Sequence, residues 1–386
     1  MSSYTDELAE RRQQGLWRQL RQLPDDMLDL ASNDYLHLAR HPQVIEAGIH
    51  ALQQYGAGGR ASRLVSGNLP PHQSLEATIA RFKHSEAALV FPSGYHANLS
   101  VVTSLAAFGD LVFCDKRNHA SLIDACRLAS AGRTVIRYFD STAKLRNLLK
   151  STFEAHSEQR RFIVSDGVFS MDGDVADLPT LLTLAEEFDA LLLLDDAHGT
   201  GTLGATGRGT AEHFKIAHHD RLIQIGTFSK AIGGQGGFVA TSQEMIDWII
   251  NNARPFIYTT ALNPASCAAA KAAFDVIDDQ PKIINDLREI TTELAQGLQE
   301  LGFNAHLQPS PIIPVIVGEA HQALALSEAL SRRGIWCPAI RPPTVPRGKS
   351  RLRVAANLSL TPDLIAKVLS AFAAAAAELR LAGKHN

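Results

Sequence analysis

The stretch Leu191-Leu-Leu-Leu-Asp-Asp-Ala-His-Gly-Thr-Gly201 carries four consecutive leucines straight into two aspartates. A run so short and so apolar reads as a strand buried on both faces, the habit of parallel sheets. Acid at the carboxyl end of such a strand lies where α/β sheets bind their ligands. Downstream, Leu222-Ile-Gln-Ile-Gly-Thr-Phe-Ser-Lys230 repeats the pattern, with an apolar strand at 222–225, a short polar turn and then Lys230. Burial disfavours an ammonium ion, and a neutral lysine amine can attack an aldehyde. Gly233, Gly234, Gly236 and Gly237 follow, and they let the backbone pass close to a bound group.

Each half alone has an ordinary reading. A lysine after a strand is usually solvated, and an acid at a strand end often caps a helix. Together they fit one cofactor. Pyridoxal phosphate needs a lysine for its aldehyde and a carboxylate that keeps its ring nitrogen protonated, so that the ring takes up electrons. Lys230 and Asp195 supply that pair, and His198 follows closely enough to reach the same ring.

Working outward, strands and helices alternate from about residue 70. Strands are expected at 87–91, 111–115, 134–139, 162–165 and 237–241, with helices at 75–83, 99–107, 122–130 and 179–188. That rhythm implies a mostly parallel, doubly wound sheet. Pro92-Ser-Gly-Tyr-His-Ala-Asn98 joins a strand to a helix. Its Ser-Gly turn offers backbone N–H groups and the positive end of a helix dipole, which suit a phosphate. His119 follows a strand end and faces the same edge. Phe169-Ser-Met-Asp-Gly-Asp174 is a turn between the strand at 162–165 and the helix at 179–188.

At the flanks, a helix is expected over 4–23, an extended piece over 28–38 containing Ser32-Asn-Asp-Tyr35, and a helix over 42–55. Beyond Tyr258-Thr-Thr-Ala-Leu-Asn-Pro264 comes a smaller α+β unit. The expected divisions are an N-terminal segment at 1–40, a large α/β domain at 41–260 and a small C-terminal domain at 261–386. In the last, Ala339-Ile-Arg-Pro-Pro-Thr-Val-Pro346 is a stiff loop presenting Arg341, a guanidinium suited to a carboxylate.

Other features exclude function classes. A net charge of −3 gives no polyanion-binding signature, so nucleic acid is not an expected partner. Four scattered cysteines without CxxC spacing suit a reducing cytoplasm rather than a zinc site or a disulfide framework. Residues 1–15 are polar, with no secretory signal, and no apolar run is long enough for a membrane span. Gly199-Thr-Gly-Thr-Leu-Gly204 matches GxGxxG, yet more glycines follow where a helix should be, which argues against a dinucleotide site. His213, His218 and His219 lack companion ligands, so no metal is expected.

The set Phe91-Pro-Ser-Gly-Tyr-His-Ala-Asn98, Asn118-His-Ala-Ser121, Gly167-Val-Phe-Ser-Met-Asp-Gly173, Asp195-Asp-Ala-His-Gly199 and Thr227-Phe-Ser-Lys230 resembles the α-oxoamine synthases, in the same order along nearly the whole chain. These are pyridoxal phosphate enzymes of fold type I, the aminotransferase-like fold. The resemblance implies that Lys230 carries the cofactor, Asp195 pairs with the ring nitrogen, His198 with the ring hydroxyl, and His119 stacks over the ring. It likewise implies cofactor contacts from Gly94, Tyr95, Ser170 and Thr227. Arg341 would hold the amino-acid carboxylate, with Thr344 and Arg18 meeting the acyl substrate. Family members are homodimers with the active site at the subunit interface, and Thr259 or Thr260 would reach a neighbour's phosphate. The segment between Leu23 and Leu30 is shorter than in many members.

Ala339–Pro346 and Arg63-Leu-Val-Ser-Gly-Asn68 resemble the branch that condenses L-alanine with a pimeloyl thioester, of CoA or of a carrier protein, in biotin biosynthesis. A sister activity on glycine, of the 2-amino-3-oxobutyrate type, is the nearer alternative. A scaffold subunit without chemistry is the other, and the presence of Lys230, Asp195 and His198 together argues against it. Lys230 is expected to act as general base on the Cα proton.

Overall fold

The computed structural model describes residues 3–13, 17–18, 20–106, 109–131, 134–153, 158–216 and 218–380. A seven-stranded sheet forms its centre. The strands lie in the order Ala87–Phe91, Gly237–Thr241, Leu222–Thr227, Ala190–Asp195, Arg161–Asp166, Leu111–Asp115 and Val135–Phe139. All neighbours run parallel except Gly237–Thr241, which is antiparallel to both strands beside it. The leucine run behaves as its composition demands. Leu192 and Leu194 pack with Phe113 and Ile163 on one face, while Leu193 packs with Val112 and Ile223 on the other. Each such side chain contributes about 1.5–3 kcal/mol over leaving it in water.

Strand positions match the sequence reading closely, and helix starts move. The helix Gly94–Leu105 begins at Gly94 rather than at 99, because the Ser93 side chain caps it by accepting from the His96 N–H. The helix Pro70–Phe82 begins at its prolines rather than at 75, since a proline in the first turn forfeits no hydrogen bond. Of the expected helix over 4–23, Tyr4–Gln13 is helical, while the described residues 17–18 and 20–23 are not. None of the residues of Tyr4–Gln13 is buried, so no apolar face anchors this helix to the core. A helix that the reading did not anticipate, Thr142–Phe153, connects Val135–Phe139 to Arg161–Asp166 and buries Leu145 and Leu149.

A second, four-stranded sheet is antiparallel throughout, in the order Ala339–Ile340, Ser350–Ala355, Ile312–Gly318 and Asn304–Ala305. Its core joins Ile313, Val315, Leu352 and Val354 to Leu294, Leu326 and Phe372 from three helices. The short strand Leu28–Asp29 pairs with Ile335–Trp336, and Leu30 enters this same core, so the start of the chain is fastened to its later part. The helix Pro264–Asp279 packs Cys267, Phe274 and Ile277 against Phe82, Phe228 and Phe238. By packing it belongs with the large sheet, although it lies past the division expected at 260. Among the described residues, no helix is long and apolar enough to cross a membrane.

Candidate active site

Parallel strands end on one edge, and their last residues share one opening. At the carboxyl ends of Arg161–Asp166, Ala190–Asp195 and Leu222–Thr227 lies a cavity of about 260 Å³. Its walls carry Gly94, Tyr95, His119, Ser170, Asp195, His198, Thr227 and Lys230, all eight of the cofactor residues expected from the sequence. Another cavity, of about 280 Å³ near His84, His218 and Glu244, holds none of them. Chemistry, not size, singles out the first.

Lys230 feels the charge of two carboxyl groups. Burial lowers the pKa of its amine, Asp195 and Asp166 pull it back up, and the nearby Arg353 guanidinium lowers it further. Asp195 accepts from the Asn98 Nδ2 at 2.6 Å and from the Ala197 N–H at 3.0 Å. Asp166, which the sequence reading passed over, pairs in register with Asp195 on the adjacent strand. Burial, then the Asp195 charge, raises its pKa well above the ordinary carboxyl value. Its Oδ2 accepts from the His119 N–H at 3.0 Å, and its Oδ1 is buried without a partner.

His119 is held at both ends. Asn118 accepts from the Asp166 N–H at 2.8 Å and donates to the Val164 carbonyl at 2.8 Å, fastening the loop to the strand beneath. The His119 ring meets the Ser121 hydroxyl through Nδ1 at 2.7 Å, and Asn98 donates to that hydroxyl at 2.8 Å. The Asn98 Oδ1 is buried without a partner, a cost of about 1–3 kcal/mol. Burial lowers the His119 pKa, with Lys230 adding to it and Asp195 opposing.

His198 lies deeper. Its Nδ1 meets the Tyr35 hydroxyl at 2.8 Å, and that hydroxyl also accepts from the Arg353 Nη2 at 3.1 Å. Arg353 donates through Nε to the Ser170 carbonyl at 2.6 Å and through Nη2 to Asn33 Oδ1 at 3.2 Å. Burial, Lys230 and Arg353 push the His198 pKa well down, and burial raises that of Tyr35. The extended piece at 32–35 is thereby part of the site's floor.

The far wall is built for an anion. Ser93 opens the helix Gly94–Leu105, whose positive dipole end faces the cavity. A Cβ on Gly237 would come 2.6 Å from the Gly94 backbone, and one on Gly94 would come 3.1 Å from the Thr227 Cβ. The turn therefore lies flat on the strand ends, beside Thr227 and Ser229. Thr227 donates to the Gly236 carbonyl at 2.8 Å and accepts from the Ser229 N–H at 3.2 Å. The other glycines after Lys230 serve the chain itself: a Cβ on Gly233 would meet Ala39, and one on Gly236 would meet Phe228. A half-buried lysine amine, a carboxylate in the same cavity and a helix-capped cradle fit pyridoxal phosphate.

Three substrate residues expected from the sequence stand elsewhere. Arg18 is exposed, Arg341 is half-buried and Thr344 is exposed on the loop after Ala339–Ile340, and none lines this cavity. Thr259 is half-buried and Thr260 exposed. Arg353 does not line the cavity itself but bonds the carbonyl of Ser170 in its wall, and its signal was an arginine set between apolar residues in a core strand. Asp196, beside Asp195, has a different task. It pairs with Lys83 at 2.7 Å, both side chains wholly buried, and accepts from the Thr210 hydroxyl at 2.6 Å. Gly199 packs on it, since a Cβ there would lie 2.0 Å from Asp196 Oδ1, so the GxGxxG stretch serves this ion pair. His218 and His219 pair with Asp220 and Glu186 at the surface.

The family model for aminotransferase class I and II matches residues 25–372. An 8-amino-7-oxononanoate synthase from Geobacter sulfurreducens is 44% identical over 364 residues, 91% of this chain and 92% of that protein. One from Geotalea daltonii is 43% identical over 99% of this chain and 100% of its own length. Among solved structures, a serine palmitoyltransferase from Sphingomonas wittichii superposes with a TM-score of 0.91 at 28% identity, covering 99% of each chain. An 8-amino-7-oxononanoate synthase from Francisella tularensis superposes with a TM-score of 0.75 at 26% identity, covering 92% of this chain and 99% of the other. With this match along almost its full length, the chain belongs to the aminotransferase class I and II family, on its 8-amino-7-oxononanoate synthase branch.

Proposed function

We propose that the protein condenses L-alanine with a pimeloyl thioester, with loss of carbon dioxide, to give 8-amino-7-oxononanoate for biotin synthesis. The observation that carries this reading is the meeting of Lys230, Asp195, His119 and His198 in one cavity of a chain so similar to enzymes of that name. Pyridoxal phosphate supplies an aldehyde for amines and a ring that takes up an electron pair.

The chain's own residues do the rest. Burial lowers the pKa of Lys230, which would hold the aldehyde, and its Nζ would serve as general base for the Cα proton of alanine. Asp195, tied to Asn98, would hold a proton on the ring nitrogen, and His198 and Ser170 would face the ring hydroxyl. His119 would lie against the ring. The Ser93–Tyr95 turn, Thr227 and Ser229 would take the phosphate. Arg353 is better placed than Arg341 for the alanine carboxylate, because it bonds the Ser170 carbonyl at the cavity wall and depresses Lys230. Arg341, Thr344 and Arg18 are then left for the acyl donor, CoA or carrier protein.

The active assembly in this reading is a homodimer. Ile45, Ile49 and Leu52 recur along one face of the helix Pro42–Tyr55 at 44–50% exposure, and Val65 and Tyr258 are exposed at 79% and 71%. So many bare apolar side chains mark a surface covered in the assembly. A cytoplasmic location belongs to the same reading and suits four buried cysteines that are all free.

The test is to supply pimeloyl-CoA or pimeloyl carrier protein with L-alanine and to follow product mass and carbon dioxide release. Parallel reactions contain glycine with acetyl-CoA. Faster turnover of the glycine pair would move the protein to the sister activity, and no turnover of any pair, with the cofactor bound, would end the catalytic reading.

A further inference from the structure

Asn98 and Ser121 form a hydrogen-bonded relay between two groups of the site. We propose that they are positioning residues for the reaction above. Together they lock His119 in the tautomer that carries its proton on Nε2, and they tie its ring to the Asp195 carboxylate.

Every bond in the relay has one consistent assignment. Asn98 turns its amide NH₂ to Asp195, donating to the carboxylate Oδ2 at 2.6 Å. The same NH₂ gives its second hydrogen to the Ser121 Oγ at 2.8 Å. That hydroxyl, already accepting, has a single hydrogen to give, and the His119 Nδ1 lies 2.7 Å away. The Ser121 backbone N–H also points at Nδ1, at 3.2 Å, and a backbone N–H only donates. Nδ1 thus accepts twice, and the proton of the neutral ring sits on Nε2. The relay runs from Asp195 through Asn98 and Ser121 to His119.

The orphaned Asn98 Oδ1 supports the same assignment. The network uses this side chain for its two hydrogens alone and leaves its carbonyl without a partner. Neither aspartate nor leucine, both of similar shape, could supply both hydrogens. Protonating His119 would put a hydrogen on Nδ1, against the Ser121 N–H. The titratable groups around the ring are Asp195, Lys230 and Asp124, with Asp166 at its backbone N–H. Asp195 and Asp124 favour the charged ring, and burial and Lys230 oppose it. The relay adds its weight to the neutral side.

The inference rests on the function proposed above only for its kinetic consequences, and the experiment separates the two. The protein is labelled with ¹⁵N-histidine and its spectra are recorded with and without bound pyridoxal phosphate, with His119→Gln to assign the signal. An unprotonated Nδ1 and a protonated Nε2 are expected near pH 7.5. Ser121→Ala is expected to mix the tautomers and raise the ring's pKa by about one unit. In turnover it should lower kcat about tenfold with little change in KM for alanine, and Ser121→Thr should restore both. Asn98→Asp keeps the shape but sets a second carboxylate against Asp195, and should weaken cofactor binding at least tenfold at neutral pH. A proton on Nδ1 in the unaltered protein would overturn the proposal. So would a Ser121→Ala variant with unchanged tautomer and pH profile. The stated tautomer without any alanine reaction would remove the functional reading and leave the relay standing.

Discussion

Lys230 and Asp195 were legible as residues because their chemistry is local, an amine and an acid each placed after an apolar run. Lys230→Ala should lower turnover by at least a thousandfold while circular dichroism stays unchanged, since a methyl can neither bind the aldehyde nor move a proton. Arg353→Lys should raise KM for alanine about tenfold with a smaller change in kcat, because an ammonium cannot grip a planar carboxylate with two parallel bonds. A steady-state comparison with Arg341→Lys, expected to leave KM for alanine nearly unchanged, tells the two guanidinium groups apart.

The same residues set the pH dependence of stability. The His119 and His198 pKa values lie below 6.5 when folded, so in that window the unfolded chain binds more protons and stability rises with pH. Asp166 works in the opposite sense. Its pKa is raised above 3.8 when folded, so its contribution falls as pH climbs through the raised value. Asp166→Asn should therefore raise the melting temperature by about 2 °C at pH 7.5, a gain that fades toward pH 4. Calorimetry at the two pH values checks the sign.

Strands and helices differ in how plainly the sequence announces them. Ala87–Phe91, Leu111–Asp115 and Gly237–Thr241 stand where the sequence put them, because a buried strand is a continuous apolar run with polar ends. Helix starts drifted, because a cap depends on a side chain turning back onto the backbone, as Ser93 does toward His96. Two element-scale tests follow from close packing and burial. Gly237→Ala presses a Cβ against the Gly94 backbone, so cofactor affinity should fall about tenfold in a dialysis titration while the sheet persists. Lys83→Met strands the buried Asp196 without its cation and should cost about 3–5 kcal/mol in urea unfolding.

At the scale of the whole molecule, the bare face of Ile45, Ile49 and Leu52 sets the assembly test. Ile49→Asp should shift the sedimentation profile from dimer toward monomer and take most of the activity with it; a monomeric variant with full activity would show that each chain holds a complete site. What the sequence determined by itself was the sheet, the cofactor chemistry and the family, because apolar period, strand-end acids and the lysine turn are properties of short segments. The tertiary structure decided which charges meet. Asp195 faces the cavity while its neighbour Asp196 is paired to Lys83, since successive residues leaving a strand turn to opposite sides. Arg353, not Arg341, reaches Ser170, because antiparallel pairing with Ile312–Gly318 turns the Arg353 side chain toward a turn far away in sequence. Asp166 becomes an acid with a raised pKa only once strand register sets it beside Asp195 and burial removes its water. Charge balance and desolvation are sums over neighbours, and those neighbours exist only after folding.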